Sequence, residues 1–217
     1  MSIGELMAAG GVVMWPLLGC SLLTTVLILE RSWFWLRLRR QQRALVQQAL
    51  AAYQQNPAVA LTQLQQRADL PVARIFMAAL ALPEATPDEF RLALESAAQA
   101  ELPLLKRFHT VFETVIGISP LLGLLGTILG LIQALSSLQL GEVAGERTLG
   151  VTAGIGEALV STATGLVIAI ITLFFANLFQ GLYRRQRAFI QEVGGQLEIL
   201  QRRQYRQLMQ PPADRRY

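Results

Sequence analysis

Thr127, Glu157, Ser161 and Thr162 are the residues whose types and spacing could do chemistry, because all four sit in or beside otherwise apolar runs. A carboxylate exchanges a proton, and hydroxyls both donate and accept hydrogen bonds, so such a set could hold water and relay protons. The stretch GEALVSTATGL, residues 156–166, carries three of them and opens a run that continues as VIAIITLFFANLF. A carboxylate within a membrane span costs about 2.5–3.5 kcal/mol on insertion scales and marks an ion path or a partner contact. Two plainer roles compete. Glu157 at an interface can simply be hydrated, and a Ser or Thr can bond back to a carbonyl one turn earlier.

Bond-making chemistry finds no support. His109, the single histidine, stands near Glu113 as a hydrated interfacial residue, and no Ser-His-Asp set exists around it. GLLGTILG lacks the lysine of a phosphate-binding loop. Cys20 is the single cysteine, which excludes an intrachain disulfide or a cysteine metal cluster and leaves a small apolar residue within a span. The expectation is a protein that is not an enzyme and uses no cofactor and no metal.

The elements that must position these residues are membrane helices. The chain is 53% hydrophobic and 16% charged over 217 residues, too apolar for an ordinary soluble domain of that length. Windows 12–29, 114–135 and 158–179 are each long enough to cross a hydrocarbon core, which takes roughly 20 apolar residues. The first lacks the positive n-region of a signal peptide and continues past LLGC through SLLTTVLIL, so it reads as a retained transmembrane helix.

Orientation follows from the cations. Arg37 to Arg107 fall between the first and second spans and Arg184 to Arg216 after the third, whereas the short loop between spans two and three sets Arg147 against Glu142 and Glu146. The N-terminus is expected outside and the C-terminus in the cytoplasm. The bias also explains the net charge of +4, with no need for a nucleic-acid partner. The predicted organisation is a periplasmic N-terminus and first span (1–36), a cytoplasmic helical segment (37–110), the second and third spans with their loop (111–180) and a cytoplasmic C-terminal helix (181–217).

The cytoplasmic segment reads as helices throughout. An Ala/Gln/Leu-rich helix leaves the membrane after Trp33 and Trp35, Asn56-Pro57 starts another, and PVARIFMAALAL is a third, ended by Pro83. TPDEF is a capping box, with Thr86 as cap and Glu89 reaching back, from which a helix is predicted to run into the second span with a bend at Pro103. Nothing reads as a strand. The fold class is an all-α membrane protein, three transmembrane helices with long cytoplasmic helical extensions.

On a helix of about 100° per residue, Ser119, Gly123, Thr127, Gly130 and Ala134 fall within roughly 80° of one another, opposite Leu121, Leu125, Ile128 and Ile132. Glu157, Ser161, Thr164, Gly165, Ile168 and Thr172 form a matching side of the third span, with Thr162 at its margin. Small residues let membrane helices approach closely, and Gly126 to Gly130 is a formal GxxxG; Ser119, Gly123, Gly126, Gly130 and Gly165 are thus packing candidates. Thr127 lies about 12 Å and Thr162 about 7.5 Å from the outer ends of their spans, so antiparallel helices bring both hydroxyls to similar depth below Glu157. Two helices do not enclose a pore, so neighbouring copies or a second protein must close one and cover the stripes.

SPLLGLLGTILGLIQAL and GIGEALVSTATGLVIAIITLFFAN resemble the two signature spans of the MotA/TolQ/ExbB proton-channel family. The resemblance rests on Glu157-Ala-Leu, Thr162, Gly165-Leu166 and Asn177 at ungapped spacing, on LPLL at 102–105, and covers about residues 100–180. Ile171 stands where relatives often carry Pro, and Ala176 where they often carry Tyr. The resemblance implies an ExbB-like subunit, or a TolQ-like one, since the MotA branch has four spans. It implies a homo-oligomer, a pentamer, around the single helices of an ExbD- or TolR-like partner that carries the proton-accepting aspartate. Proton-motive force would then drive a TonB-like periplasm-spanning protein. On this pattern Thr127 and Thr162 are pore threonines, with Ser161 and Glu157 completing the proton pathway. A structural membrane scaffold without ion conduction is the remaining alternative; too few helices and no inverted repeat argue against a secondary transporter.

Overall fold

The computed structural model describes residues 11–139 and 144–209, with side chains for 11–136, 152 and 154–209. Glu5, Glu142, Arg215 and Arg216, and the side chains of Glu146 and Arg147, lie outside the described residues. Among the described residues six helices follow one another: α1 (Met14–Gln55), α2 (Pro57–Gln65), α3 (Pro71–Leu80), α4 (Pro87–Leu105), α5 (His109–Gln139) and α6 (Ala144–Met209). No strand occurs among the described residues. Three apolar helical stretches, in α1, α5 and α6, are long enough to cross a membrane. The protein is an all-α multi-pass membrane protein.

Local signals set the helix ends. Asn56 caps α2 by accepting from the Ala58 N–H at 2.9 Å, with Pro57 in the first turn. Thr86 and Glu89 form the capping box of α4, each side chain bonding the other's backbone N–H. These bonds hold the Glu89 carboxyl below its ordinary range. The helix expected to run from α4 into the second span is instead interrupted. Pro103 lacks the N–H that would bond the preceding turn. The last turn then tightens, with Lys106 N–H on the Pro103 carbonyl (3.0 Å) and Arg107 N–H on that of Leu104 (3.4 Å). Phe108 follows in the left-handed region at φ 67°, and its carbonyl starts α5 by accepting from the Phe112 N–H.

The chain divides into two compact units. The first contains residues to Arg31 and Phe108–Phe179, and so the apolar parts of α1, α5 and α6. Val13, Met14, Leu17, Val115 and Ile168 form its core, with Leu122 and the half-buried Cys20 against it. Leu121, Ile132, Leu159, Ile170 and Phe174 point outward and are more than half exposed. Such an apolar surface suits lipid rather than water.

The second unit contains Ser32–Arg107 and the chain from Gln180 onward. Its core is that of a water-soluble bundle: Leu64, Val72, Ile75, Phe76 and Leu197 are essentially inaccessible. Arg74 grips the Glu101 carboxylate with two guanidinium nitrogens, Nε at 2.6 Å, and a third reaches the Ala68 and Asp69 carbonyls. The Glu101 hydrogen bonds raise the Arg74 pKa above its ordinary value. Gln42 and Gln186, both buried, exchange amide hydrogen bonds of 2.6 and 2.7 Å, so no amide is stranded in the apolar core.

Candidate functional site

Within the first unit α5 and α6 run antiparallel and meet along their small residues. Gly165 lies against Ser119, Gly123 against Ser161 and Thr162, Gly126 against Ser161, and Gly130 against Gly154 and Ala158. The backbones are so close that a Cβ on Gly130 would stand 2.7 Å from the Gly154 carbonyl oxygen, and one on Gly123 3.0 Å from that of Ser161. A Cβ on Gly165 would collide with the Ser119 carbonyl. Glycine is required at these positions by close approach, as in small-residue membrane packing.

The buried line on α5 is Ser119, Gly123, Gly126, Gly130 and Ala134. Gly126 therefore faces α6 directly and Thr127 stands beside the line, half exposed. On α6 the line extends through Gly154, which precedes the apolar window and was not singled out from sequence. The two stripes bury one another inside a single chain. Neighbouring copies are not needed to cover them.

The hydroxyls sort by this contact. Thr162 donates across it to the Gly123 carbonyl at 2.9 Å. Ser161 is wholly buried against Gly126 and donates to the Ala158 carbonyl at 2.9 Å, with the Gly123 carbonyl at 3.4 Å. Thr127 bonds the Leu124 carbonyl of its own helix at 2.6 Å, and Thr164 that of Val160 at 2.8 Å. Thr172, fully buried, does the same to Ile168. The Ser119 hydroxyl is buried with no partner. Each bonded hydroxyl has spent its proton on a carbonyl but keeps lone pairs that can accept from water or a partner. Of the expected set, the half-exposed Thr127 and Thr162 retain that capacity; Ser161 has no surface left.

Glu157 is half buried, and its carboxylate rests on Gly11, just before α1. Gly11 has φ +66°, and a Cβ there would overlap Glu157 Oε1. Both features demand glycine at this position. No sequence signal pairs these residues, which are remote in the chain and meet only in the folded unit. His109 Nε2 lies 3.4 Å from Glu113 Oε1, one turn along α5. Among the described residues no three His, Cys, Asp or Glu converge as metal ligands.

Three apolar helices, two of them joined by a glycine-lined contact with hydroxyls on its margin, define a class of multi-pass membrane protein. Residues 67–192 match the model of the MotA/TolQ/ExbB proton channel family, and the chain belongs to that family. It is 57% identical to a Synechocystis sp. protein provisionally named biopolymer transport protein ExbB-like 3, over 96% of this chain and 98% of that one. A second Synechocystis sp. protein with a provisional name of the same kind, ExbB-like 1, is 37% identical over 93% of this chain and 80% of its own. Biopolymer transport protein exbB1 of Vibrio cholerae is 33% identical over 82% of this chain and 78% of its own length.

Proposed function

We propose that this chain is the ExbB-type subunit of a proton channel in a bacterial inner membrane, with its N-terminus periplasmic and its C-terminus cytoplasmic. Several copies, five by the family resemblance, surround the single helices of an ExbD-like partner whose aspartate takes the proton. Proton flow then energises a TonB-like protein that spans the periplasm. The observation that carries this reading is the near full-length similarity to proteins named for ExbB-type biopolymer transport.

The geometry is consistent with a division of labour. Glu113 and Glu157 stand near opposite ends of the apolar stretches, so this chain offers no carboxylate at mid-depth in its second and third spans. An unassisted charge there is costly, and a partner's aspartate would fill that role. Thr127 and Thr162 would accept hydrogen bonds from water or from that aspartate. Ser161 and the glycines act by holding α5 and α6 together, and Glu157 sits at the mouth.

The test is proton flux into liposomes holding this chain with and without a co-expressed single-span partner. Flux should require both proteins and fall on changing the partner's aspartate to asparagine. Full flux from this chain alone would overturn the shared-pore reading; no flux with any such partner would favour a scaffold.

A further inference from the structure

His109 and Glu113 form an ionisable pair at the start of α5, with Nε2 3.4 Å from Oε1. The buried line along α5 runs Phe112, Val115, Ser119, Gly123, Gly126 and Gly130, so its phase holds across Pro120. Glu113 stands one residue past Phe112, just as Thr127 stands one past Gly126. His109 precedes Thr127 by 18 residues, about five whole turns, and so leaves the helix on the same side. On α6, Thr162 stands one past the buried Ser161. In antiparallel helices a step past the contact turns to the same flank on both. One flank of the α5–α6 pair therefore carries Thr127, Thr162, Glu113 and His109, the last two at the end remote from Glu157. α1 packs on the other flank, where Leu122, one residue before Gly123, joins its core.

Helix support does not account for the pair. The stabilising order at this spacing puts the acid before the base, and a cation at a helix N-terminus opposes the dipole; here the order is the reverse and the histidine opens α5. Both groups reach water, Glu113 being 62% and His109 30% exposed. Between them and Thr127 this flank offers Ile116, Pro120 and Leu124, so Glu113 is the next ionisable group after the threonines, about 21 Å along α5. The charged groups around the pair are Arg31 of α1, which lies over the Phe108 ring and on Glu30, and Lys106 and Arg107 just before Phe108. From α6, Phe179 packs on Phe112, and residues 175–179 hold no ionisable group. Histidine is the side chain suited to exchanging protons near neutral pH. We propose that Glu113 and His109 release the transported proton to the cytoplasm. Glu113 takes a proton from water beyond the threonines and passes it to the His109 imidazole. The imidazolium then gives a proton to cytoplasmic water, which restores both groups. This inference rests on the channel reading and on the orientation proposed with it.

The test uses the full chain reconstituted with its single-span partner in potassium-loaded liposomes, where valinomycin sets the driving force and proton entry is read as potassium efflux. Glu113→Gln and His109→Gln should each lower the flux about tenfold or more. Glu113→Asp should keep most of it, and Thr114→Val, off this flank, should conduct as wild type. An acceptor free in solution can stand in for a missing side chain, so raising the impermeant buffer HEPES should restore flux in His109→Gln and leave wild type unchanged. The assembly mass of each variant controls for folding. Undiminished flux in both Gln variants of a conducting complex would overturn the release site and leave the channel reading intact. A loss that buffer does not restore would make the pair structural and overturn the release site too. No flux in the wild type would overturn the channel reading, and the release site with it.

Discussion

The Thr162 hydroxyl donates to the Gly123 carbonyl 2.9 Å away on the neighbouring helix, whereas the Thr127 hydroxyl donates to Leu124 within its own helix. The two threonines therefore differ in what they contribute to stability. Thr162→Val removes a bond across the helix contact and should cost about 1–2 kcal/mol. Thr127→Val should stay within about 0.5 kcal/mol of wild type. In liposomes with the partner, both should lower proton flux. Unfolding midpoints in detergent, measured beside the flux, separate the structural effect from the conductive one.

Glycines on and off the contact should respond oppositely. Gly165→Ala drives a methyl group into the Ser119 carbonyl and should cost about 1–3 kcal/mol. Gly117→Ala meets nothing within 4 Å and should be neutral or stabilise α5 by up to about 1 kcal/mol. Thermal unfolding of the detergent-solubilised protein checks both.

Gly11→Ala should displace the Glu157 carboxylate, because its methyl group would occupy the space of Oε1 and the backbone is left-handed. The expected result is a change in the pH dependence of proton flux without loss of expression. An unchanged pH profile would show that the Gly11–Glu157 contact has no part in conduction.

The Gln42–Gln186 pair should behave as a unit. Gln42→Leu strands the Gln186 amide in the core and should cost about 1–3 kcal/mol, while the double change to Leu should recover much of that loss. Denaturation of the four members of this cycle gives the coupling directly.

Acid should loosen the start of α4. The Thr86 bonds lower the Glu89 pKa in the folded state, so their contribution is present above the carboxyl's unfolded value and is lost as pH falls through the lower folded one. Thr86→Ala removes the hydroxyl bond but keeps the larger cause, the backbone N–H bond, so the Glu89 pKa should rise only part of the way towards its ordinary value. Site-resolved titration of Glu89 checks this, and the protection of the Phe90 amide relative to its intrinsic exchange rate should fall with pH, by less in the variant than in the wild type.

Sequence alone determined the helical membrane class, the three apolar stretches and the caps at Asn56 and Thr86. These are set by composition and by neighbours a few residues apart, through hydropathy and local hydrogen bonds. The small-residue stripes were legible for the same reason, since helical periodicity places residues on a face. Periodicity does not say what a face meets. Only the folded unit shows the two stripes closing on each other, with Gly126 inside the contact, Thr127 beside it and Ser161 sealed within. The break at Phe108 also escaped prediction, because Pro103 marks a weakened helix but not whether the chain bends or turns. The approach of Glu157 to Gly11 and the pairing of Gln42 with Gln186 were decided by tertiary structure, because each joins residues whose separation along the chain carries no local signal.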